Sequence, residues 1–467
     1  MKVAAIIILT ISTVLSMSSR VSPIAAGDPS SVLIIRGARL IDGEGGPPLE
    51  GAVVVSRDGV IVNVFKEGAA RIPEGRIIDA RGATILPGLI DGHVHLGGSS
   101  GPRISAAELA GGRIDHDLAA YLFFGVTTIR SLGDAPRLAF GLKKLDAAGD
   151  GRAPHILASG PMLTALGGSP LAVGAKTAAS SSLVAVELSN EAEARLKVRE
   201  LIAAGADAIK VIYEEGPPSR RVPIISEAIF RAIVAEAHLG RVPVCVHTAT
   251  CRGVQGAIHA GADGVEHGVV REPIDKDTIQ LLVEHKIFYC PTLCVIEAPI
   301  RIAGGFKPAT DALLSLTVLP AVWASINNPA SVSSQAREHP RTLEARQRML
   351  RQAAENLQQV YSAGVPISLG TDSGNEATFA GYSVHREMEL LVQAGIPPMR
   401  VIQAATMTAA RYCRIDSRAG SIRVGKQADL LIVDGNPLES ISALRRIKLV
   451  VIAGKVVDRE HLFDDER

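Results

Sequence analysis

The sequence predicts an α/β fold, a (β/α)8 TIM barrel with a small β-sandwich domain formed by both termini. Three observations point to it. The chain has 467 residues, enough for a barrel of about 250 to 400 residues and a small companion. Through its middle, short apolar runs alternate with long helical patterns, as repeated βα units around a parallel sheet require. Both ends carry a different texture, short strand-like runs broken by Gly and Pro, which reads as hairpins. Composition agrees: aromatic residues make up only 3%, and abundant Ala, Val, Ile, Leu and Gly suit close-packed parallel strands covered by helices.

Residues 1–26 read as a signal peptide: Met1-Lys2, an apolar run from Val3 to Met17, then Ser-rich sequence ending in Ile24-Ala25-Ala26. That is the charged, apolar and small-residue order of a secretory leader cut near Ala26. The run falls short of the roughly 20 residues that span a bilayer. A secreted or periplasmic protein with no stable membrane anchor after processing is therefore expected.

Residues 27–85 and 415–467 predict the composite sandwich, with strand-like runs at 32–35, 52–55, 60–62, 429–433 and 448–454. Residues 86–414 predict the barrel. Its eight strands are expected at 84–90, 126–129, 155–159, 208–212, 243–246, 264–266, 287–289 and 366–369, the first crossing the domain boundary. Amphipathic helices are expected at 190–204, 226–239, 343–363 and 383–394, with Ser226 and Ser383 as N-terminal caps. Residues 297–339, rich in Ala, Pro, Asn and Ser, read as an insertion that could lie over the site between strands seven and eight.

The 49 basic and 48 acidic residues leave a net charge of +1, which gives no field for nucleic acid or an anionic membrane. A small-molecule substrate and a homo-oligomer are expected instead. The five cysteines, Cys245, Cys251, Cys290, Cys294 and Cys413, are odd in number and lie mostly in strand-like segments, as buried fillers do. Cys290 and Cys294 have no second pair to complete a zinc ribbon.

Chemistry concentrates where the expected strands end. Leu86-Pro-Gly-Leu-Ile-Asp-Gly-His93-Val-His95 places two imidazoles two residues apart. On a strand they face the same side and can share a metal ion. Lys210, His247, His267 and Asp372 each fall at the C-terminal end of another expected strand, the rim where barrels carry catalytic groups. After the fourth strand, Tyr213 and the Arg220-Arg221 pair are candidates for a substrate carboxylate, or solvated loop residues. His155, His238, His259, His285 and His385 fall on helices or strand starts and are read as structural.

With Pro87-Gly-Leu-Ile-Asp-Gly-His93-Val-His95, Ile209-Lys210, His247, Glu266-His267-Gly268, Gly370-Thr371-Asp372 and the closing stretch from Gly420 to Leu431, the sequence resembles the amidohydrolase superfamily. It is most similar to the imidazolonepropionase-related branch with prolidase-like dipeptidases, N-acyl amino acid hydrolases and ochratoxinase-like amidases. The resemblance implies two Zn2+ ions, with His93, His95 and Asp372 on the inner one and His247 and His267 on the outer. Lys210 would bridge them as N6-carboxylysine, a carbamate made with carbon dioxide, since a free ammonium would repel both cations.

The implied activity is cleavage of an amide in an N-acyl amino acid or dipeptide by zinc-activated hydroxide, with Asp372 as proton shuttle. Cyclic amides, phenylureas or organophosphate esters are alternatives on the same metals, and a non-catalytic binding barrel belongs to a different class. One departure stands out. After Gly167-Gly168, where related dipeptidases often carry His near the substrate carbonyl, this chain has Ser169.

Overall fold

A computed structural model describes residues 31–96, 113–146, 152–169, 184–216, 221–303, 312–327 and 340–464. The expected signal at 1–26 lies outside them. Among the described residues no helix is long and apolar enough to cross a membrane.

The chain opens with β1 (Val32–Leu40), β2 (Leu49–Arg57), β3 (Val60–Lys66), β4 (Arg76–Asp79) and β5 (Ala83–Pro87). Next come β6 (Leu89–Val94), α1 (Arg113–Phe123), β7 (Val126–Ser131), α2 (Pro136–Asp146), β8 (His155–Ala158), β9 (Met162–Ala165) and β10 (Ala185–Leu188). The middle continues with α3 (Glu191–Ala203), β11 (Ile209–Ile212), α4 (Glu227–Leu239), β12 (Val244–His247), α5 (Cys251–Ala260), β13 (Gly264–Glu266), α6 (Lys276–Glu284) and β14 (Phe288–Cys290). Then follow α7 (Leu293–Ala303), α8 (Ala312–Thr317), α9 (Pro320–Asn327), α10 (Pro340–Ser362), α11 (Tyr382–Gln393), α12 (Pro398–Ala404) and α13 (Met407–Tyr412). The last strands are β15 (Leu430–Asp434), β16 (Ile447–Ile452) and β17 (Lys455–Val456).

Both ends of the chain meet in one mixed eight-stranded sheet, ordered β17-β16-β15-β5-β1-β2-β3 with β4 beside β1. Leu33, Ile35 and Val54 pack on one face, while Val32, Ile34, Val53 and Val55 pack on the other. Burial on both faces explains why these strands carry unbroken apolar runs where half-buried strands alternate.

The middle of the chain forms parallel sheets, β10-β9-β11-β12-β13-β14 and β6-β7-β8. Residues 366–373 stitch them together: Tyr289 N donates to Pro366 O at 3.0 Å, Gly92 N to Leu369 O at 3.0 Å and Asp372 N to His93 O at 2.8 Å. From β8, Ala158 O accepts from Asp207 N at 2.8 Å, just ahead of β11.

α3, α4, α5 and α6 start where side chains satisfy the free amides of a first turn, whereas the expected cap Ser383 lies inside α11, whose N-cap is Gly381 without a side-chain bond. Asn190, Ser226, Thr250 and Asp275 accept from the amides of Glu193, Ile229, Gly253 and Thr278. The four expected helices form within a few residues of their expected bounds.

The strands differ more. The run expected at 84–90 breaks in two, because β5 stays in the terminal sheet and β6 enters the parallel one. Gly88 is the joint: a Cβ there would sit 2.1 Å from Thr127 Oγ1, so only glycine lets the chain pass. The expected boundary after residue 85 thus falls inside β5. Strands β9 and β10 were not expected, since Ser159-Gly160-Pro161 reads as the end of β8 and β10 has only four residues. Residues 366–369 form no regular strand, only a bridge between Tyr289 and Ile367; Pro366 has no N–H to give a ladder. In the segment read as an insertion, α8, α9 and the bend between them pack through Leu314, Val322 and Val318 onto Ala377 and Phe379, just past Asp372.

Candidate metal centre

The deepest residues come first. His93 is the fifth residue of β6 and is 1% exposed. Its Nδ1 lies 2.8 Å from Glu266 Oε2, which fixes the tautomer and leaves the Nε2 lone pair for another partner. Burial, then Lys210, push its pKa down to about 4, so the ring is neutral, as a ligand must be. His95 follows one turn of the pleat later, its ring centroid 5.4 Å from that of His93.

Asp372 Oδ1 lies 2.9 Å from His95 Nε2 and 3.5 Å from His93 Nε2. The distance to His95 suits a hydrogen bond but the angles do not, and this buried oxygen has no hydrogen-bond partner. An orphaned buried carboxylate oxygen costs free energy unless something else occupies its lone pairs. The ligating atoms of His93, His95 and Asp372 all lie within 4.8 Å of one another. Two imidazoles and a carboxylate converging in this way fit a divalent metal. Burial opposes ionisation of Asp372, but His93 and His95 hold its carboxyl well below the usual range.

Lys210 sits lower than the expected rim position. It pairs with Cys245, two residues below the His247 level on β12, and reaches the centre through its long side chain, with Nζ 3.2 Å from His93 Nε2. It is 1% exposed, and burial lowers its pKa, which favours the neutral, nucleophilic amine.

Toward solvent stand His247 and His267, with ring centroids 4.4 Å apart. Their Nε2 and Nδ1 atoms are taken, by Glu214 and by Thr292 Oγ1 at 2.7 Å respectively. His247 Nδ1 and His267 Nε2 remain for a ligand. Burial, then His247, push the His267 pKa well down. His267, Thr292 and Asp372 all take positive φ, at 65°, 46° and 58°. Non-glycine residues rarely do so, and such strain gathers at functional sites. Here it turns the chain after β13, after β14 and after residues 366–369 toward the same centre. The six expected ligands therefore share one locus.

A model of the amidohydrolase family matches residues 84–457. The chain belongs to the amidohydrolase family. The match and the chain's relatives support a hydrolase acting on carbon–nitrogen bonds, in a family that is generally metal-dependent. Ochratoxinase of Aspergillus niger is 28% identical over 470 residues, 93% of this chain and 88% of its own. A Xaa-Pro dipeptidase structure with methionine in its active site matches at TM-score 0.73 and 28% identity, covering 91% of this chain and 100% of that one. Molinate hydrolase matches at TM-score 0.73 but 24% identity, over 93% and 96% of the two chains, a likeness of fold.

The lower-weight candidates of this amidohydrolase are more scattered. Tyr213 follows β11 and packs on Phe230, ring centroids 5.0 Å apart. Arg221 is 71% exposed and 3.5 Å from Glu215, while Arg220 lies outside the described residues. Ser169 accepts from Thr164 Oγ1 at 2.6 Å through its carbonyl. All five cysteines are buried and free.

The supporting shell was not picked out from sequence. Glu266, fully buried, binds His93 and accepts from Tyr412 Oη at 2.7 Å, and Arg130 lies 3.6 Å away. Asp91 accepts from Thr371 N at 3.0 Å and Thr371 Oγ1 at 2.6 Å, so it sets the turn before Asp372. The signal was available: Asp91, Arg130 and Glu266 are charges inside apolar strands, a rare placement without a partner.

Proposed function

We propose that the chain is a metal-dependent amidase that cleaves an amide in an N-acyl amino acid or dipeptide-like substrate, of the kind named by its ochratoxinase and Xaa-Pro dipeptidase relatives. The observation that carries the reading is the orphaned Asp372 oxygen facing two imidazoles, with the Lys210 amine beside them. His93, His95 and Asp372 would hold an inner zinc, and His247 and His267 an outer one. Divalent ions at such a centre supply Lewis acidity toward water and a carbonyl. The hydrogen bonds of residues 366–373 and of Asp207 support closure of the parallel sheets into a (β/α)8 barrel, and the apolar clusters on both faces of the terminal sheet support a companion sandwich. A secreted homo-oligomer belongs to the same reading.

In its unprotonated form the Lys210 amine would attack the carbon of carbon dioxide, forming an N–C bond as one C=O π bond opens onto oxygen and releasing one proton to solvent. The carbamate anion then offers two oxygens where a cation would repel metal. Glu266 and Glu214, which can only accept, hold His93 and His247 in one tautomer each, and Thr292 orients the His267 ring. Asp372 accepts the proton of the attacking water and passes it to the leaving nitrogen, which departs poorly unless protonated.

The test is a screen of zinc-loaded protein against dipeptides and N-acyl amino acids, with Asp372→Asn alongside. Amide hydrolysis is expected, reduced about 10²- to 10⁴-fold in the variant at equal metal content. Activity on esters or phosphotriesters alone would overturn the substrate class. An Asp372→Asn protein that kept its metals and near-normal amidase rate would overturn the mechanism.

A further inference from the structure

A cleft of about 420 Å³ is lined among others by Tyr213, Glu214, Arg221, Arg252 and Arg271, and Glu214 links it to the metal centre through His247 Nε2. Its three arginines are not equivalent. Arg221 and Arg252 are 71% and 81% exposed and share Glu215, at 3.5 and 3.1 Å; in water such pairs discriminate little. Arg271 is 29% exposed. Its Nη2 pairs with Glu214 Oε1, and its Nη1 donates to Gly216 O at 2.6 Å. Glu214 is 11% exposed, and its other oxygen is bonded to His247 Nε2. One largely desolvated carboxylate therefore spans a guanidinium and an imidazole of the metal centre.

This is an unusual place for a structural ion pair. Arg271 comes four residues after His267 and Glu214 four after Lys210, so both stand at fixed reach from the ligands. The pair lines an open cleft, where neither partner is needed to fill the core. The guanidinium has the planar fork that recognises carboxylates. An amide whose carbonyl sits at the metal centre, and whose nitrogen belongs to an amino acid, carries a free carboxylate two bonds beyond that nitrogen.

We propose that Arg271 is the specificity-determining residue for that substrate carboxylate, and that Glu214 holds its place on Arg271 in the ligand-free protein. Binding exchanges one carboxylate for another on the same guanidinium, so no new charge is left unpaired on Arg271. The carboxylate anchor is then Arg271, with the exposed Arg221 at the rim of the cleft. The inference rests on the amide-hydrolase reading and names the half of the substrate that the cleft recognises.

The experiment uses the zinc-loaded full chain, with a panel of N-acetyl-L-amino acids and the matching C-terminal amides. Hydrolysis is followed for both, and binding of the released amino acids is measured by calorimetry. Wild type should prefer the free acids, and Arg271→Met should raise their KM about 10- to 100-fold, the scale of a charge-assisted hydrogen-bonded pair, with kcat much less changed. The C-terminal amides should lose much less, only what the Glu214–His247 contact loses with its guanidinium partner. Arg271→Lys should recover part of the loss, which a merely unfolded variant would not. Glu214→Gln, which frees the guanidinium, should bind the released amino acid more tightly than wild type.

Equal preference for acids and amides in wild type, or an unchanged preference in Arg271→Met, would overturn the inference while leaving the amidase reading intact. If no amide of either kind is cleaved, the amidase reading fails. Calorimetry then still decides for Arg271: the inference falls if Arg271→Met binds the amino acids as wild type does, or if wild type binds none.

Discussion

At Glu266 a carboxylate without water contact joins His93, Tyr412 and Arg130. Burial opposes its ionisation, yet His93, Lys210 and Arg130 hold its pKa below the ordinary range. It thus acts as the anion that fixes His93 for metal and compensates the buried Arg130, which also stacks 4.0 Å over the Tyr412 ring. Glu266→Gln is expected to weaken metal binding about 10- to 100-fold, read by chelator competition. It should also cost about 3 to 5 kcal/mol, because Arg130 loses its counter-charge. Tyr412→Phe keeps that charge and removes one hydroxyl donor, so its stability loss should be only about 1 to 3 kcal/mol, read by denaturant titration. Equal stability losses in the two variants would show that the buried charge pair is not what sets the difference.

Among the elements, α11 governs the loop that follows β14. Its Glu387 accepts from Leu293 N at 2.9 Å and Cys294 N at 2.7 Å, capping the first turn of α7. Arg386 binds both oxygens of Glu297 on α7 at 2.8 and 2.5 Å. Because Thr292 bonds His267 and Cys294 Sγ donates to Thr371 O at 3.0 Å, this clamp reaches both sides of the metal centre. Burial raises the Glu387 pKa from 4.5 to about 7. A carboxyl raised by folding contributes stability that is complete below pH 4.5 and lost as pH rises through about 7. Glu387→Gln cannot accept from both amides, and should cost about 1 to 3 kcal/mol at low pH. Its deficit should shrink by pH about 8, where wild type bears an ionised buried carboxylate. Thermal unfolding across that range checks the sign: a deficit that grows with pH would contradict it.

The whole molecule depends on strands from both ends. β1 pairs with β2, β4 and β5, and β5 with β15, so the N-terminal strand cannot be trimmed without opening the sheet. β1 begins at Val32, a few residues beyond the expected cut near Ala26. Removal of the leader should therefore leave the fold intact, and mature protein from its native host should begin near Gly27, outside the cytoplasm. N-terminal sequencing that returned Met1 from a cytoplasmic pool would refute processing. A thermal midpoint that fell on cutting at residue 26 would refute the independence of leader and fold.

The sequence by itself determined what local pattern can encode. Amphipathic spacing marked the long helices, and Ser226 marked the start of α4. Apolar runs marked most parallel strands, and the two-residue spacing of His93 and His95 put both imidazoles on one face. The matching texture of the two ends foretold that they would share a sheet. Tertiary structure decided what depends on neighbours distant in the chain. Gly88 separates β5 from β6 only because Thr127 presses on it, and no local pattern reports that contact. Lys210 stands below the rim because register, set by pairing with β12, placed it there. The partners of Glu266 come from residues 93, 130 and 412. Sequence could reveal a buried charge in an apolar strand, but the charges that make its burial tolerable are chosen by packing.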